Sequence, residues 1–384
     1  MSNASNRLET VLGATFTNGN SVEILRNGKE IFPAMLQAIS MSKESIDFVT
    51  FVYWQGDIAI QFANALGERA AAGVKVRVLL DAFGSYPMRS ELIELMESQG
   101  VVVKHFRPIA HWKIWKLDNR THRKILVCDS KVSFTGGVGI AKEWEGDARN
   151  SEEWRDTHFR ITGPAVQVIH SAFISNWSEA DSSCNLKAPA YPKAAPAGDV
   201  RILTLASPSS INWSSIALLF RTLIDNAEDN ICIATAYFVA DDILTNILCK
   251  AARRGVSIQI LIPGDNSDSR FSQLGGRTNF VALLEAGIKI FRYQPTMMHA
   301  KIMLVDNHLG AVGSANMNHR SMSKDEEICL VLDNKETIEI LRSQYEEDLN
   351  KSELLDLKHW KERCGSPLSL VWWWRIPCTS FLSF

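Results

Sequence analysis

Apolar and polar residues alternate with two different periods over the N-terminal part of the chain, and together they predict strands separated by helices. Ser21–Ile24 alternates residue by residue, and Ile46–Trp54 is a longer β-rich apolar run, as in strands. Between them, Glu30–Met41 spaces its apolar residues three and four positions apart, which is the spacing of a helix with one buried face. A second helix is predicted at Ile58–Ala72, ended by Gly73 as a C-cap.

The same rhythm continues and determines the predicted fold class. A strand at Val74–Asp81 is followed by a short helix at Glu91–Gln99 and by a strand at Val101–Phe106. Strands that alternate with helices are typical of parallel sheets, because each helix returns the chain to the edge where the last strand began. We therefore expect an α/β fold with mostly parallel sheets and with helices on their faces.

The second half of the chain repeats this plan. AAAGVKVRVLL and AARRGVSIQILI lie 182 residues apart, and GVVVKHFRP and GIKIFRYQP lie 187 apart. Several elements matched in the same order favour an internal duplication over coincidence. The spacing shrinks to 177 at the histidine motif described below, which predicts a ten-residue insertion in the first half, within IAHWKIWKLDNRT. We expect two tandem α-β-α sandwich halves.

Composition suggests where these halves begin and end. We assign residues 1–181 to the first half and residues 200–360 to the second. Residues 182–199 contain several prolines and alanines without periodicity, and we interpret them as a linker, although a long surface loop inside one domain is an alternative. Residues 361–384 form a separate aromatic C-terminal tail.

Bulk composition narrows the class of protein without identifying its chemistry. The chain has 384 residues, of which 46% are hydrophobic and 22% charged, and a net charge of −2. These values suit two soluble domains and provide no overall attraction to nucleic acid. Seven cysteines occur without a C-x-x-C pair, so we expect buried, reduced thiols in a cytoplasmic protein. We see no secretory signal and no apolar run of the roughly 18 residues that span a bilayer.

One chemical motif occurs twice, once in each half. Its residues are His122, Lys124 and Asp129 in the first copy and His299, Lys301 and Asp306 in the second, both with the spacing H-x-K-x4-D. Gly136-Gly137 follows the first copy, and Gly313-Ser314-x-Asn316 follows the second. Two copies of one motif suggest a single active site assembled from both halves.

Placing each motif on a strand determines which of its side chains act together. ILVCD and IMLVD are strand-like, so each histidine and the lysine two residues later point to the same face. The motif counts its aspartate among the catalytic residues, but this side chain points the other way, and we interpret it as fixing backbone or a buried cation. After the glycine turn, backbone N–H groups at Gly137, the Ser314 hydroxyl and the Asn316 amide can converge on an anion.

Two imidazoles and two ammonium groups that face one anion suit a phosphodiester. One histidine can attack phosphorus and form a phosphohistidine, while the other protonates the leaving alkoxide. The lysines and Asn316 can stabilise charge on the remaining oxygens. No cluster of carboxylates indicates a divalent metal, so we expect neither a metal nor a cofactor. A nucleophilic imidazole needs a partner on its far nitrogen, and Asp156 and Glu327 are the candidates for that orienting role.

These residues carry a resemblance to a known family. The paired motifs resemble the phospholipase D superfamily, and within it the chain is most similar to bacterial cardiolipin synthases, over about residues 20–355. The likeness lies in LLDAFGS, NRTHRKILVCD, FTGGVGIAKEW, WRDTHFRITGPAV, TAYFVADD, QPTMMHAKIMLVD and VGSANMNHRS. It implies two halves about a pseudo-two-fold axis and ping-pong chemistry through a phosphatidyl-histidine, with His122 as nucleophile and His299 as acid. Gly139 departs from the asparagine of many relatives.

The expected function is that of a phosphatidyltransferase. Phosphatidylglycerol would donate its phosphatidyl group to the enzyme, and a second phosphatidylglycerol would collect it, giving cardiolipin and glycerol. The alternatives are a hydrolase of the phospholipase D type, a metal-independent nuclease and a non-catalytic lipid-binding protein. The net charge and the absence of long basic runs argue against the nuclease, so we expect no nucleic-acid partner.

Two aromatic segments predict contact with a membrane surface. HWKIWKLDNR interleaves Trp112 and Trp115 with basic residues, and Trp372-Trp373-Trp374 precedes Arg375. Indoles and cations favour the headgroup region of an anionic bilayer. Single-stranded nucleic acid, or packing against the protein itself, is the alternative for such segments. We expect a peripheral protein at the cytoplasmic face of the cell membrane, and the pattern carries no expectation about oligomeric state.

Overall fold

Fifteen strands of the described chain are hydrogen-bonded edge to edge in one mixed sheet. The computed structural model describes residues 3–108, 119–183, 194–208, 214–266, 277–358 and 360. In chain order the strands are β1 (Phe16–Arg26), β2 (Ser45–Thr50), β3 (Lys75–Asp81), β4 (Val102–Phe106), β5 (Ile125–Cys128), β6 (Val132–Gly136), β7 (Thr157–Thr162), β8 (Val200–Ser207), β9 (Asn230–Thr235), β10 (Ser257–Pro263), β11 (Lys289–Tyr293), β12 (Lys301–Val305), β13 (Leu309–Gly313), β14 (Glu327–Asp333) and β15 (Ser352–Leu354). The helices are α1 (Asn3–Leu12), α2 (Asn27–Met41), α3 (Asp57–Ala71), α4 (Ser90–Ser98), α5 (Ala165–Ala180), α6 (Ser215–Asn226), α7 (Asp242–Arg253), α8 (Arg277–Glu285) and α9 (Lys335–Leu349).

The order of strands is the same on both sides of the centre of the sheet. Outward from β1 it runs β7, β6, β5, β2, β3, β4, and outward from β8 it runs β14, β13, β12, β9, β10, β11, with β15 at that edge. Two stretches are parallel, β2–β3–β4 and β9–β10–β11. The other neighbouring strands in the described ranges are antiparallel.

The α/β class expected from the sequence is confirmed, but the expectation of mostly parallel sheets is wrong. β5 and β6 follow each other through a tight turn, and so do β12 and β13. Two strands joined by a short turn must run in opposite directions, because a parallel connection needs a dozen or more residues. The repeated strand order agrees with a duplication, while the pseudo-two-fold axis itself stays a prediction.

β1 joins the two halves because it pairs with a strand on each of its edges. Its residues 21–26 are antiparallel to β7, while its first two residues pair with β8. At the shift between these registers, the Asn20 amide donates to the carbonyl of Val200 (3.1 Å) and accepts the N–H of Ala165 (2.7 Å). One buried side chain therefore bonds to both halves at the centre of the sheet.

Helices cover the two faces of the sheet differently. On one face, α5 and α9 contribute to a single hydrophobic cluster that runs across both halves and includes Phe173 and Leu341. On the opposite face, the first half has its own cluster under α2, α3 and α4, and the second half has another under α6, α7 and α8. Neighbouring strand residues such as Ile125 and Leu126 alternate between the faces. Because apolar burial dominates folding, the shared cluster stabilises the two halves together.

Helix α1 lies within the residues assigned to the first half but packs against the second half. Leu8 is 1% exposed and lies in the hydrophobic cluster under α6. The Ser5 hydroxyl donates to Asp333 (2.8 Å), and the Arg7 guanidinium donates to the side chain of Asn226 (2.8 Å). The residues assigned to the first half by composition thus include a helix that stabilises the other half. The division into halves and linker stays a prediction.

Other expectations concern the cysteines and the aromatic segments. Cys128, Cys232, Cys249 and Cys329 are buried with unpaired thiols, and the remaining cysteines lie outside the described residues. No helix within the described ranges is long and apolar enough to cross a membrane. The tryptophans at 112 and 115 and the aromatic tail at 361–384 also lie outside the described residues.

We expect Leu8→Ala to lower the free energy of unfolding by about 2–4 kcal/mol, because it leaves a cavity between α1 and α6. Val11 lies on the same helix and is 45% exposed, so Val11→Ala should change that free energy by less than about 0.5 kcal/mol. Urea unfolding followed by circular dichroism measures both. Small and equal effects would show that α1 contributes nothing to the core of the second half.

Candidate active site

Both histidine–lysine motifs lie at the same edge of the sheet. His122 and Lys124 lead into β5, while His299 and Lys301 lie at the start of β12. β5 runs antiparallel to β2, and β12 runs antiparallel to β9, so these side chains lie at the carboxyl ends of the parallel strands. That edge is where open α/β sheets commonly bind ligands.

The His122 imidazole is held by a carboxylate from the second half. Its Nδ1 lies 3.0 and 3.1 Å from the two oxygens of Glu327, the first residue of β14. The Ser314 hydroxyl donates to Oε2 of that carboxylate and accepts the N–H of Ile328 (3.0 Å), which fixes its direction. The ring of Phe51 packs edge-on against the imidazole, with ring centroids 5.1 Å apart.

The His299 imidazole is held, in turn, by a carboxylate from the first half. Its Nδ1 lies 2.7 Å from Oδ2 of Asp156, which directly precedes β7. The indole N–H of Trp144 donates to the same oxygen (2.9 Å), and the backbone N–H of Thr157 donates to Oδ1 (2.7 Å). Asp156 is fully buried, so these donors replace the water that an exposed carboxylate would bind.

Backbone hydrogen bonds repeat the same exchange between halves. The N–H of His122 donates to the carbonyl of Glu326 (2.9 Å), and the N–H of His299 donates to the carbonyl of Arg155 (2.7 Å). Glu326 and Arg155 are the residues immediately before the two orienting carboxylates. Each histidine is therefore fixed twice to the opposite half, once through its ring and once through its backbone.

Lys124 and Lys301 bring two ammonium groups into the same buried region. The Lys124 ammonium donates to the carbonyl of His122 (2.9 Å), and the Lys301 ammonium donates to the carbonyl of His299 and lies 3.3 Å from its Nε2. Burial lowers the pKa of Lys124 to about 7; the Glu327 carboxylate opposes this fall, and the charge of Lys301 adds to it. Two ammonium groups from different halves therefore repel each other across one site.

Burial also keeps both imidazoles neutral. It lowers the pKa of His122 against the attraction of Glu327, and it lowers the pKa of His299 to about 3, with the charge of Lys301 acting in the same direction. Burial opposes ionisation of the carboxylates, but the imidazoles hold the pKa of Glu327 at about 2 and that of Asp156 below its usual value. Since an ionised carboxylate only accepts hydrogen bonds, each Nδ1 carries the proton and each Nε2 carries the lone pair, which at His299 faces the Lys301 ammonium at 3.3 Å.

Gly137 and Ser314, expected to contact an anion, lie against the two orienting carboxylates. A Cβ added to Gly137 would lie 2.3 Å from an Asp156 oxygen, so only glycine fits beside that carboxylate. Its N–H donates to the carbonyl of Thr157 (3.5 Å). The Ser314 hydroxyl is bonded to Glu327. The assignment of these two residues to substrate binding stays a prediction.

Asn316 is the remaining residue expected to contact an anion. Its side chain is buried, and its Oδ1 has no hydrogen-bond partner within the described part of the chain, although its backbone N–H donates to the Ser321 hydroxyl (3.1 Å). The matching position of the first half is Gly139, where a Cβ would lie 2.6 Å from the side chain of Val52. Only the second half supplies an amide at this position.

The aspartates of the two motifs lie at the far ends of β5 and β12, away from the imidazoles. Asp129 accepts the backbone N–H groups of residues 43–45 at 2.8–3.1 Å. Asp306 accepts those of residues 228–230 at 2.8–3.3 Å. Counting these aspartates among the catalytic residues is therefore corrected. Each one fixes the backbone that leads into the neighbouring strand, β2 or β9.

Four aromatic residues that surround the imidazoles were not predicted from the sequence. Trp144, Trp154 and Tyr237 lie 5.0, 5.3 and 6.2 Å from the His299 ring, measured between centroids. Phe51 was expected inside a strand running to residue 54, but β2 ends at Thr50, and the chain leaves the sheet at the site. For Trp144 and Trp154, the available signal was their position within the segments that carry the family resemblance.

A metal ion would find few ligands here. Within the described ranges, no three histidine, cysteine, aspartate or glutamate side chains are grouped closely enough to hold one. Asp156 and Glu327, the carboxylates at the site, are bonded to imidazoles. Lys124 and Lys301 place ammonium groups beside the two imidazoles.

Comparisons with known proteins find relatives in sequence and in fold. Residues 35–153 and 220–349 match the family model described as "Cardiolipin synthase, PLD-like domain". The chain is 32% identical over 349 residues to cardiolipin synthase 1 of Bacillus anthracis, covering 88% of this chain and 68% of that protein. It is 31% identical over 350 residues to a cardiolipin synthase of Oceanobacillus iheyensis, covering 91% and 73%. The solved structure of phosphatidylserine synthase from Haemophilus influenzae has a TM-score of 0.71 over 94% of this chain and 93% of that one, at 13% identity, which shows the shared fold.

We expect a phosphate analogue to bind with uptake of protons, because an anion beside Lys124 and the imidazoles raises their pKa values. With the pKa of Lys124 about 7 in the free protein, binding of tungstate at pH 7.5 should take up roughly three-quarters of a proton at Lys124, and more where an imidazole is protonated as well, and affinity should fall as pH rises. Isothermal titration calorimetry in two buffers of different ionisation enthalpy measures this uptake. Lys124→Gln should reduce it, whereas binding without any proton uptake would contradict the buried-ammonium description.

Proposed function

The chain is a phospholipid-modifying enzyme that belongs to the family of the cardiolipin synthase, PLD-like domain, and from that premise we propose that it is a phosphatidyltransferase of the cardiolipin synthase type. Two phosphatidylglycerol molecules react to give cardiolipin and glycerol. The observation that carries the proposal is the crossed arrangement of two imidazole–carboxylate pairs, His122 with Glu327 and His299 with Asp156. Two imidazoles whose Nε2 atoms point away from the orienting carboxylates supply one nucleophile and one proton carrier.

In the first step, Nε2 of His122 attacks the phosphorus of a phosphatidylglycerol and forms a P–N bond. The P–O bond to the headgroup glycerol breaks, and the alkoxide takes a proton from Nε2 of His299, which the bound phosphate anion has caused to be protonated. The Glu327 carboxylate stabilises the positive charge that develops on His122. The ring of His122 is the more accessible of the two, with 14% of its side chain exposed against 6% for His299.

In the second step, the headgroup hydroxyl of another phosphatidylglycerol attacks the phosphatidyl-histidine. Nε2 of His299, now neutral, accepts the proton of that hydroxyl, and the P–N bond to His122 breaks. Cardiolipin leaves, and both imidazoles return to their starting protonation. Lys124, Lys301 and the Asn316 amide stabilise negative charge on the non-bridging oxygens in both steps.

Phosphatidylglycerol labelled in its headgroup or in its acyl chains tests the proposal. Purified protein should convert it to labelled cardiolipin and free glycerol. His122→Ala and His299→Ala should each lower the rate at least about a thousandfold, as removal of a nucleophile or its proton carrier does. His105 is an exposed histidine on β4, so His105→Ala is the matched control and should keep the wild-type rate.

The reaction products distinguish a phosphatidyltransferase from a hydrolase. Phosphatidic acid formed without cardiolipin would identify water as the acceptor and the protein as a hydrolase of the phospholipase D type. Full activity in the double variant His122→Ala, His299→Ala would show that other residues perform the reaction. If the protein forms neither cardiolipin nor phosphatidic acid from phosphatidylglycerol, the proposal that phosphatidylglycerol is its substrate is refuted.

We also propose that the protein works as a peripheral protein at the cytoplasmic face of the membrane that holds its substrate. Unpaired buried thiols support a reducing compartment. Tyr86, on the loop after β3, is 83% exposed, and this loop is bonded to the site because the Ser85 hydroxyl donates to the carbonyl of Phe51 (3.0 Å). An exposed tyrosine beside the site suits the headgroup region of a bilayer.

Tyr86→Ser should weaken binding to phosphatidylglycerol vesicles several-fold, because a tyrosine ring contributes apolar burial at the interface. Vesicle co-sedimentation measures the binding. Ile340 on α9 is also exposed, at 47%, and Ile340→Ser is the matched control that should bind as wild type does. Equal binding by both variants would remove Tyr86 from the membrane-facing surface.

A further inference from the structure

Each orienting carboxylate receives a second side-chain donor, and the two donors differ. Glu327 receives the Ser314 hydroxyl, while its imidazole partner lies across both oxygens at 3.0 and 3.1 Å. Asp156 receives the Trp144 indole N–H at 2.9 Å on Oδ2, the oxygen that also bonds His299 at 2.7 Å. Ser314 also donates to an oxygen that His122 contacts, Oε2, but Oε1 at 3.0 Å is left to that imidazole. At Asp156 the one oxygen that bonds the imidazole is also the one that accepts the indole N–H.

Trp144 is buried among aromatic rings, and its N–H donates to this oxygen. The residue is 2% exposed and ends a short helical turn over Lys142–Trp144. Its ring packs edge-on against His299 at 81° and against Trp154 with centroids 4.5 Å apart. The indole has one donor and no acceptor, so it always stabilises the ionised form of the Asp156 carboxylate.

We propose that Trp144 is a positioning residue that makes the two imidazoles unequal: its N–H draws on the charge of Asp156 and leaves His299 the poorer proton acceptor of the pair. A poorer acceptor, once protonated beside a bound phosphate, is the better proton donor to a leaving alkoxide. This assignment of roles rests on the proposed function, whereas the effect of Trp144 on the acidity of His299 does not.

The surroundings of His299 contain the other groups that influence its protonation. Asp156 favours the charged ring, while Lys301 and Lys124 oppose it. Tyr237 packs edge-on at 6.2 Å, and the buried His158 is coupled electrostatically to Asp156 and Lys124. Burial lowers the pKa of His158 to about 4, close to that of His299, so the two rings titrate in neighbouring pH ranges and need separately assigned signals.

The test measures the titration of His299 by NMR in protein labelled with 13C at histidine Cε1, with its signal assigned by loss in His299→Gln. Trp144→Phe keeps an aromatic ring but removes the donor, so the pKa of His299 should rise. Trp154 contacts the same imidazole at 5.3 Å, and the structure places no bond from its indole on Asp156. Trp154→Phe is the matched control and should leave the titration unchanged.

Two further measurements vary the N–H donor at position 144 and test whether the pKa of His299 follows it. Trp144→His restores an N–H donor in a smaller ring and should return the titration toward that of wild type. Biosynthetic 5-fluorotryptophan makes the indole N–H a stronger donor in an intact fold, so the pKa of His299 should then fall. No shift in either direction, with unfolding midpoints preserved, would overturn the proposal.

Activity provides a separate comparison. Loss of a hydrogen bond to a charged group costs about tenfold in rate, so Trp144→Phe should lower kcat about tenfold with little change in KM, and should move one limb of the pH profile. If the wild-type protein makes no cardiolipin, the proposed function fails while the NMR titration still decides the role of Trp144. If cardiolipin forms but the titration of His299 is unchanged in Trp144→Phe, the role of Trp144 fails alone.

Discussion

The exchange of carboxylates between the two halves is the interaction on which the site depends. His122 is oriented by Glu327, and His299 is oriented by Asp156, so neither half contains a complete imidazole–carboxylate pair. The backbone bonds from each histidine to the residue before the opposite carboxylate reinforce this dependence. Correct chemistry therefore requires correct pairing at the centre of the sheet, where β1 is bonded to both β7 and β8.

Burial gives these pairs their chemical character. Water no longer screens the charges, so each ionised carboxylate must be satisfied by fixed donors, and removing one partner of such a buried pair commonly costs about 3–5 kcal/mol. The same burial lowers the pKa of both imidazoles and the pKa of Lys124. Apart from the lysines, the resting site thus holds two ionised carboxylates beside two neutral imidazoles.

Features that depend on neighbouring residues could be predicted from the sequence, whereas features that depend on distant residues could not. The two-residue step from His122 to Lys124 and the position of Asp129 on the opposite side follow from strand alternation, and the structure has Asp129 on backbone N–H groups accordingly. Strand direction is not a local property, so antiparallel hairpins were mistaken for part of a mostly parallel sheet. Asp156 and Glu327 could be named as candidates, but their partners lie 143 and 205 residues away.

The role of Trp144 shows the same limit. Nothing in the local pattern around it indicates a hydrogen bond, because its indole meets Asp156 only after a turn and a strand have been placed. Ser314 was predicted as a ligand for the substrate for a related reason. Its position after a glycine turn suits anion binding, and only the fold reveals that Glu327 occupies its hydroxyl.

The unbroken sheet also has a mechanical consequence. A ladder of backbone hydrogen bonds crosses the boundary between the halves through β1, so the described strands connect the two imidazoles through one sheet. Any change in the distance between the two rings would have to bend this sheet or break the pairing of β1 with β7 or β8.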